Sequence, residues 1–217
     1  MAKASQPHCV TYYKLYKTRR GVVVEGYNEG RSGGGRVGAY VLPPEHTITS
    51  LLEADDTVIL LDYLWIYVAH TQPDFTVADE LIANHLLAPV DRQVAWAAGV
   101  TYETSKFARM EESEAAANCY AYFYDPAHRP DLFFKALPHQ IVGHGGRVRM
   151  SSKSEWFVPE PEFVLAINTR GKIVGYSLGN DMSARDIEGE NPLYLPQAKV
   201  YDDGFGLGPC ITILREG

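Results

Sequence analysis

The composition of this 217-residue chain excludes several classes of protein. With 46% hydrophobic and 22% charged residues, the chain has enough apolar content to fold around one sizeable core or two smaller ones. A formal net charge of -7 gives no general attraction for nucleic acid or anionic membranes, and three widely spaced cysteines match no zinc or disulfide pattern. The longest apolar stretch, residues 58–69, is interrupted by Asp62 and is too short to cross a bilayer. We therefore expect a soluble, cytoplasmic protein with neither nucleic acid nor a membrane as partner.

Residues 1–89 are predicted to form a small N-terminal module rich in β-structure. Runs of β-branched and aromatic residues, separated by glycine or proline, predict strands over residues 22–25, 38–42 and 58–68. Residues 76–79, Thr-Val-Ala-Asp, have the form of a capping box, and the apolar residues after them recur at helical spacing. The module is therefore expected to end with a helix, which Pro89 stops.

A second module is predicted over residues 90–217. Its sequence predicts strands over residues 95–102, 132–137 and 147–150, and a long helix over about residues 104–123. A hairpin is predicted from two further strands, 163–167 and 173–178, joined through residues 168–171. The second module is thus expected to be mostly β, with one helix near its start.

A glycine cluster at residues 33–38, Gly-Gly-Gly-Arg-Val-Gly, satisfies the letters of a dinucleotide-binding motif. That motif works by opening a helix whose N-terminus holds a pyrophosphate. Here a strand and two prolines follow instead of a helix. We interpret the cluster as a hairpin loop.

Three carboxylates, Glu160, Glu162 and Asp181, lie close together in the chain. Side chains two apart on an extended segment point to the same side, so the two glutamates can converge on one point. The apolar run 163–167 indicates that the segment enters a core, where a hard divalent cation would compensate the charge. A charged surface entry to the strand and an i,i+4 salt bridge between Asp181 and Arg185 are the structural alternatives.

Two lysines stand in apolar surroundings. Lys135 follows Leu-Phe-Phe, and Lys199 follows Leu-Pro-Gln-Ala. Charges of both signs within such segments are more typical of a functional site than of a solvated surface.

Five motifs, in order over residues 99–209, resemble the fumarylacetoacetate hydrolase family. They are Gly-Val-Thr-Tyr at 99–102, Leu-Phe-Phe-Lys at 132–135, Pro-Glu-Pro-Glu at 159–162, Gly-Tyr-Ser-Leu-Gly-Asn-Asp-Met-Ser-Ala-Arg-Asp at 175–186, and Ala-Lys-Val-Tyr-Asp-Asp-Gly-Phe-Gly-Leu-Gly-Pro at 198–209. The resemblance implies an α+β fold that is mostly β, in which the β-rich N-terminal module precedes a mixed β-sandwich roll.

The resemblance also implies a set of metal ligands and pocket residues. Glu160, Glu162 and Asp181 match the residues with which the family holds Mg²⁺, with Mn²⁺ or Ca²⁺ as alternatives. Lys199 matches the lysine beside the metal and the bound 2-oxo acid, and Lys135 matches another lysine of the pocket.

Within that implied site, we assign roles to single residues. Lys199 is expected to bind the enolate and the metal-bound oxygen, and Ser105 to orient the substrate hydroxyls. Lys135 is assigned as general base, with a structural ion pair to a metal-binding carboxylate as the alternative. Arg109 and Arg185 are assigned to substrate binding, Arg109 by holding a lid closed.

One departure from the family pattern separates reaction classes. Hydrolase and decarboxylase members carry a histidine and a glutamate where this chain has Ser105 and Ala108, so the dyad that activates water is absent. The surrounding sequence resembles the branch of 2-dehydro-3-deoxy-D-arabinonate and other sugar-acid dehydratases. We expect a Mg-dependent lyase that converts a 2-dehydro-3-deoxy sugar acid to 2,5-dioxopentanoate. A C–C bond hydrolase of an acylpyruvate or related 2-oxo acid and an inactive metal-binding remnant are the alternatives.

A second departure concerns length. Family members continue past the last motif into further strands that do not follow Gly217 in this sequence. The roll is therefore expected to be C-terminally incomplete, with unpaired strand edges and an exposed apolar face. Because the family commonly forms homodimers through the roll, a homodimer is the expected assembly.

Overall fold

The computed structural model describes residues 10–29, 34–71, 76–99 and 129–215. It is mostly β with some helices, as predicted. The strands are β1 (Tyr12–Thr18), β2 (Gly21–Asn28), β3 (Gly35–Val41), β4 (Ala95–Ala98), β5 (Leu132–Ala136), β6 (Ile141–Val142), β7 (Phe157–Val158), β8 (Pro161–Ile167), β9 (Ile173–Asp181), β10 (Ser183–Ala184) and β11 (Phe205–Leu214). The helices are α1 (Ile48–Leu52), α2 (Thr57–Thr71), α3 (Thr76–Asn84), α4 (Arg185–Glu190) and α5 (Leu195–Lys199).

A sheet of seven strands organises the described part of the chain. Its order is β3-β2-β1-β11-β9-β8, in which all neighbours are antiparallel, and β6 adds to β11 in parallel. Two small sheets pair β4 with β5 and β7 with β10. The main sheet contains strands from before and after residue 89. The predicted boundary between two modules at that residue stays a prediction.

Helices cover both faces of the β3-β2-β1-β11 part of this sheet, because side chains alternate along each strand. Tyr13 and Leu15 of β1 pack in one core cluster with Leu61 and Trp65 of α2. Tyr16, the next residue along β1, points to the opposite face of the sheet and packs in a second cluster with residues of α3. A third cluster, outside these layers, joins β5, β11 and the segment after α3.

The strand predicted over residues 58–68 is wrong, since these residues lie in helix α2. The run buries Leu61, Leu64, Trp65 and Val68 at helical spacing while it exposes Tyr63. The residues on its exposed side are also apolar or aromatic, so the helical period is hidden in the hydrophobicity of the sequence. Enrichment in β-branched and aromatic residues then favours the wrong interpretation.

Other predicted elements have mixed outcomes. Strands over 22–25, 38–42 and 132–137, the helix after residue 76, and the β8–β9 hairpin are confirmed in type. The glycine cluster does connect an antiparallel pair, β2 and β3, as a hairpin would. The strand predicted over 147–150 is wrong, because these residues belong to no strand. The helix over 104–123 and the end of the strand over 95–102 lie outside the described residues.

The expectation that the run 163–167 enters a core holds for only two of its five residues. Val164 and Ala166 pack against core clusters, whereas Phe163, Leu165 and Ile167 are between 45% and 57% exposed. This difference follows from the two-residue period of a strand.

In the described ranges, no helix has both the length and the apolar character needed to cross a bilayer.

Candidate active site

Antiparallel pairing brings two distant parts of the chain together at the end of β9. The Asp181 amide donates to the Glu160 carbonyl oxygen at 2.9 Å, and the Arg185 amide donates to the Trp156 carbonyl oxygen at 2.8 Å. Between them, β7 pairs with β10. The glutamate segment and the Asn-Asp-Met-Ser-Ala-Arg segment are therefore held side by side by backbone hydrogen bonds.

Lys199 places a buried ammonium between two of the predicted metal ligands. The residue is 2% exposed at the end of α5. Its Nζ lies 2.5 Å from Glu160 Oε2, 3.1 Å from Asp181 Oδ2 and 2.5 Å from Ser183 Oγ.

Lys135, from β5, binds Asp181 from its other side. Its Nζ is 2.6 Å from Asp181 Oδ1 and 3.0 Å from the Met182 carbonyl oxygen, and it also donates to the Lys199 carbonyl oxygen. The residue is 1% exposed. Burial, and secondarily the nearby Lys199 ammonium, lowers the pKa of Lys135, although the Asp181 carboxylate opposes this shift.

Arg185, the first residue of α4, clamps two glutamates. One guanidinium nitrogen lies 2.6 Å from Glu160 Oε1 and another lies 2.5 Å from Glu188 Oε2. A guanidinium offers several donors in a fixed plane, so one side chain can hold both carboxylates. Arg185 thereby fixes Glu160, whose other oxygen meets Lys199.

Six charges of alternating sign form one continuous ion-pair network. Its order is Glu188, Arg185, Glu160, Lys199, Asp181 and Lys135. Three anions and three cations balance, which explains how so many ionisable groups can be buried together. The structural alternative that placed Asp181 in a helical turn is wrong, because Asp181 is the last residue of β9.

Glu162, the third predicted ligand, lies two residues beyond Glu160 and opposite Gly179 of β9. It is half-buried, on the same side of β8 as Val164 and Ala166. Within residues 10–29, 34–71, 76–99 and 129–215, no group of three or more histidine, cysteine, aspartate or glutamate side chains is arranged to hold a metal ion. Lys199 stands between Glu160 and Asp181, and the assignment of the three carboxylates as ligands stays a prediction.

The chemistry of the site nevertheless fits a hard divalent cation. Asp181 Oδ1 is fully buried and accepts no well-directed hydrogen bond, although Lys135 Nζ lies 2.6 Å away. Glu160 and Asp181 present carboxylate oxygens to a common point already occupied by a positive charge. Carboxylate oxygens are the ligands that Mg²⁺ takes in proteins.

Several residues of the site were not predicted from the sequence. Ser183 and Glu188 bind Lys199 and Arg185, and two aromatic rings approach the lysines. Lys199 Nζ lies 5.6 Å from the centroid of Phe133, and Lys135 Nζ lies 5.5 Å from that of Tyr201. Among these missed contacts, only the Arg185–Glu188 ion pair could have been predicted from the sequence, because the two residues are three apart on a helix. The predicted substrate residues Ser105 and Arg109 lie outside the described residues.

Comparisons with known proteins agree with the site motifs. The profile of the fumarylacetoacetate hydrolase C-terminal family matches residues 110–216. A probable 2-keto-3-deoxyxylonate dehydratase of Haloferax volcanii is 50% identical over 142 residues, which cover 65% of this chain and 48% of the relative. A 2-dehydro-3-deoxy-D-arabinonate dehydratase of Saccharolobus solfataricus is 44% identical over 131 residues, covering 59% of this chain and 44% of the relative.

A solved structure shows the same likeness in three dimensions. A 2-keto-3-deoxy-D-arabinonate dehydratase complexed with magnesium and 2,5-dioxopentanoate superposes with a TM-score of 0.60 at 27% identity, covering 92% of this chain and 65% of that chain. The present chain spans about half the length of the curated relatives that it matches.

Proposed function

Because the chain belongs to the fumarylacetoacetate hydrolase family, we propose that it takes part in the Mg-dependent dehydration of a 2-dehydro-3-deoxy sugar acid to 2,5-dioxopentanoate. The names of two relatives and the ligands of the solved dehydratase support this reaction class. The absence of the histidine and glutamate that activate water in hydrolases, replaced by Ser105 and Ala108, favours a lyase over a C–C hydrolase.

One structural observation carries the proposal: Glu160 and Asp181 converge on the buried ammonium of Lys199 at the strand ends. Buried carboxylates whose charge is balanced by movable side chains are typical of catalytic sites. This convergence involves three separate family motifs, which purely local structure does not bring together.

Glu160, Glu162 and Asp181 would hold the divalent cation, preferably Mg²⁺. When bound, the cation would polarise the ketone of a 2-oxo acid and so acidify the proton on C3.

Lys199 would bind the oxygen that gains negative charge as the C3 proton leaves. Its Nζ is the only described ammonium that contacts both Glu160 and Asp181, so it lies beside the proposed point of substrate binding. An ammonium in a site shielded from water stabilises developing negative charge more strongly than it would in solution. The group that takes the C3 proton would return it to the C4 hydroxyl, which would leave as water, and the resulting unsaturated 2-oxo acid would tautomerise to 2,5-dioxopentanoate.

Lys135 is better suited to a structural role than to proton abstraction. Three oxygens surround its Nζ: the Asp181 carboxylate forms an ion pair with it, and the carbonyl oxygens of Met182 and Lys199 accept hydrogen bonds from it. A general base needs a lone pair directed at the substrate. The contacts therefore favour the alternative in which Lys135 holds Asp181 in place.

The reaction is tested with purified protein, Mg²⁺ and 2-dehydro-3-deoxy-D-arabinonate. An aldehyde dehydrogenase that reduces NAD⁺ should then report the product semialdehyde. Glu162→Gln should abolish this signal and weaken Mg²⁺ binding measured by calorimetry, because a neutral amide is a poorer ligand than a carboxylate. Glu155→Gln, at an exposed glutamate, serves as the matched control and should keep both properties.

The alternatives have distinct outcomes in the same assay. Cleavage of an acylpyruvate without release of 2,5-dioxopentanoate would identify a hydrolase. Calorimetric metal binding without any turnover would identify a metal-binding remnant. The homodimer and the cytoplasmic location remain proposals from the family resemblance, and sedimentation equilibrium of the purified chain tests the first.

A further inference from the structure

Lys199 holds a position that differs from that of an ordinary salt-bridge lysine. Its ammonium contacts one oxygen from each of two carboxylates, 2.5 Å from Glu160 and 3.1 Å from Asp181. Those two side chains come from adjacent antiparallel segments that backbone hydrogen bonds hold together. A cation at this point is bound by both segments at once.

We propose that Lys199 is a displaceable counter-ion, whose ammonium keeps the place between Glu160 and Asp181 until a divalent cation takes it. This inference rests on the proposed magnesium site and adds that the lysine and the metal compete for the same oxygens. Without a cation there, two buried carboxylates would repel each other in surroundings of low polarity.

Competition should favour the metal for reasons of charge. A divalent ion interacts with each carboxylate about twice as strongly as a single ammonium at the same distance. It can also recruit further oxygen ligands, among which Glu162 lies two residues from Glu160 on the same strand. An ammonium, by contrast, has three donors and already uses one of them on Ser183.

Ser183 gives the displaced ammonium an alternative partner. Its Oγ lies 2.5 Å from Lys199 Nζ and donates to the Asp181 carbonyl oxygen at 3.2 Å, which leaves the lone pairs of the hydroxyl for the lysine. Ser183 is fully buried, so a lysine bound to its hydroxyl remains inside the site. Lys199 therefore stays beside the carboxylates after it leaves the space between them.

Lys135 provides an internal comparison. It also binds Asp181, but the carbonyl oxygens of Met182 and Lys199 hold its ammonium from two further directions. Because these carbonyl oxygens belong to the backbone, Lys135 would lose both hydrogen bonds if its ammonium moved. Of the two lysines on Asp181, only Lys199 is thus bound mainly by side chains, and only Lys199 is suited to displacement.

The test measures Mg²⁺ affinity by calorimetry on the whole chain and on Lys199→Met, which removes the charge and keeps an unbranched side chain. We expect the variant to bind Mg²⁺ at least about tenfold more tightly, equivalent to about 1.4 kcal/mol, because the competing cation is gone. Lys153→Met, at an exposed lysine, should leave the affinity unchanged.

A second variant keeps the proposal testable if Lys199→Met does not fold. Ser183→Ala leaves Lys199 without its alternative partner, so Mg²⁺ should bind several-fold more weakly. Circular dichroism verifies the fold of each variant.

Two results would overturn the displacement. The first is equal or weaker Mg²⁺ binding by folded Lys199→Met while Asp181→Asn abolishes binding, which removes the competition and keeps the metal site. The second is no Mg²⁺ binding by either the natural chain or Lys199→Met, which removes the metal site of the proposed function as well.

Discussion

Lys135 shows at the scale of a single residue how a buried charge is tolerated. Its side chain is almost completely buried, and its ammonium meets one carboxylate and two carbonyl oxygens. The cost of removing the charge from water is offset only while these partners remain in place. Asp181 depends equally on the two lysines that flank it.

Replacing Lys135 by methionine should lower the free energy of unfolding by about 3 kcal/mol, because it leaves Asp181 with one cation instead of two and removes one donor from each of two buried carbonyl oxygens. Urea denaturation followed by fluorescence measures this change. Lys153→Met, at an exposed lysine, should change stability by less than about 0.5 kcal/mol. Equal effects of the two substitutions would contradict the structural role of Lys135.

At the scale of elements, close backbone approach determines how β9 fits against β11. A Cβ atom added at Gly175 would lie 2.5 Å from the Thr212 carbonyl oxygen and less than 3 Å from Ile211 and Ile213. The first of these neighbours is backbone and cannot rotate away. The absence of a side chain at this position therefore allows the central strands to pair.

Gly175→Ala should destabilise the protein by about 1–3 kcal/mol, since the strands must separate to accept the methyl group. Gly189→Ala is the matched control. Gly189 lies in α4 with no atom within 4 Å of an added Cβ, so alanine should stabilise the helix by about 0.5–1 kcal/mol. Thermal unfolding compares both variants, and a Gly175→Ala protein as stable as the natural chain would contradict this packing.

Helix α2 illustrates the limit of periodicity for identifying an element. Its N-terminus carries an ordinary capping signal, in which the Ile59 amide donates to Asp56 Oδ1 at 2.9 Å. The residues that follow are apolar on both the buried and the exposed sides. A strand of this composition would have alternated its side chains, and only packing against the sheet shows that the run is helical.

At the scale of the whole molecule, Asp91 links three parts of the chain. One of its oxygens lies 2.7 Å from Lys17 Nζ on β1, and the other accepts the Thr49 amide of α1 at 2.8 Å. Burial alone would raise the pKa of Asp91, but the hydrogen bonds with Lys17 and Thr49 outweigh it and lower the pKa below the usual value. The charged carboxylate therefore stabilises the fold.

Stability should consequently fall as the pH drops below about 4, the ordinary pKa of an aspartate. The folded chain holds its Asp91 proton less tightly than the unfolded chain, so this contribution is present above the unfolded pKa and disappears as pH falls through the folded pKa. Asp91→Asn should be less stable than the natural chain at pH 7, and the difference should shrink in denaturant titrations as the pH falls below the ordinary aspartate pKa of about 4. Asp55→Asn, at an exposed carboxylate, should follow the natural chain, and a pH-independent effect of Asp91→Asn would contradict the linkage.

The sequence by itself determined which charged residues are candidates for the site and the type of several elements around it. Glu160, Asp181, Lys135 and Lys199 were identified because charges in apolar segments carry a local signal, and the family motifs specify their order. The β8–β9 hairpin follows from its turn and its β-branched strands. Each of these signals lies within a few neighbouring residues.

Tertiary structure alone decided which charges meet. Glu188 and Ser183 join the site through contacts that the hydrophobic pattern does not encode, and Lys199 stands between Glu160 and Asp181 because α5 folds back over the strand ends. Partner choice in a buried network depends on distances between segments that are far apart in the chain. Such distances are fixed by packing and backbone pairing, which are properties of the folded molecule.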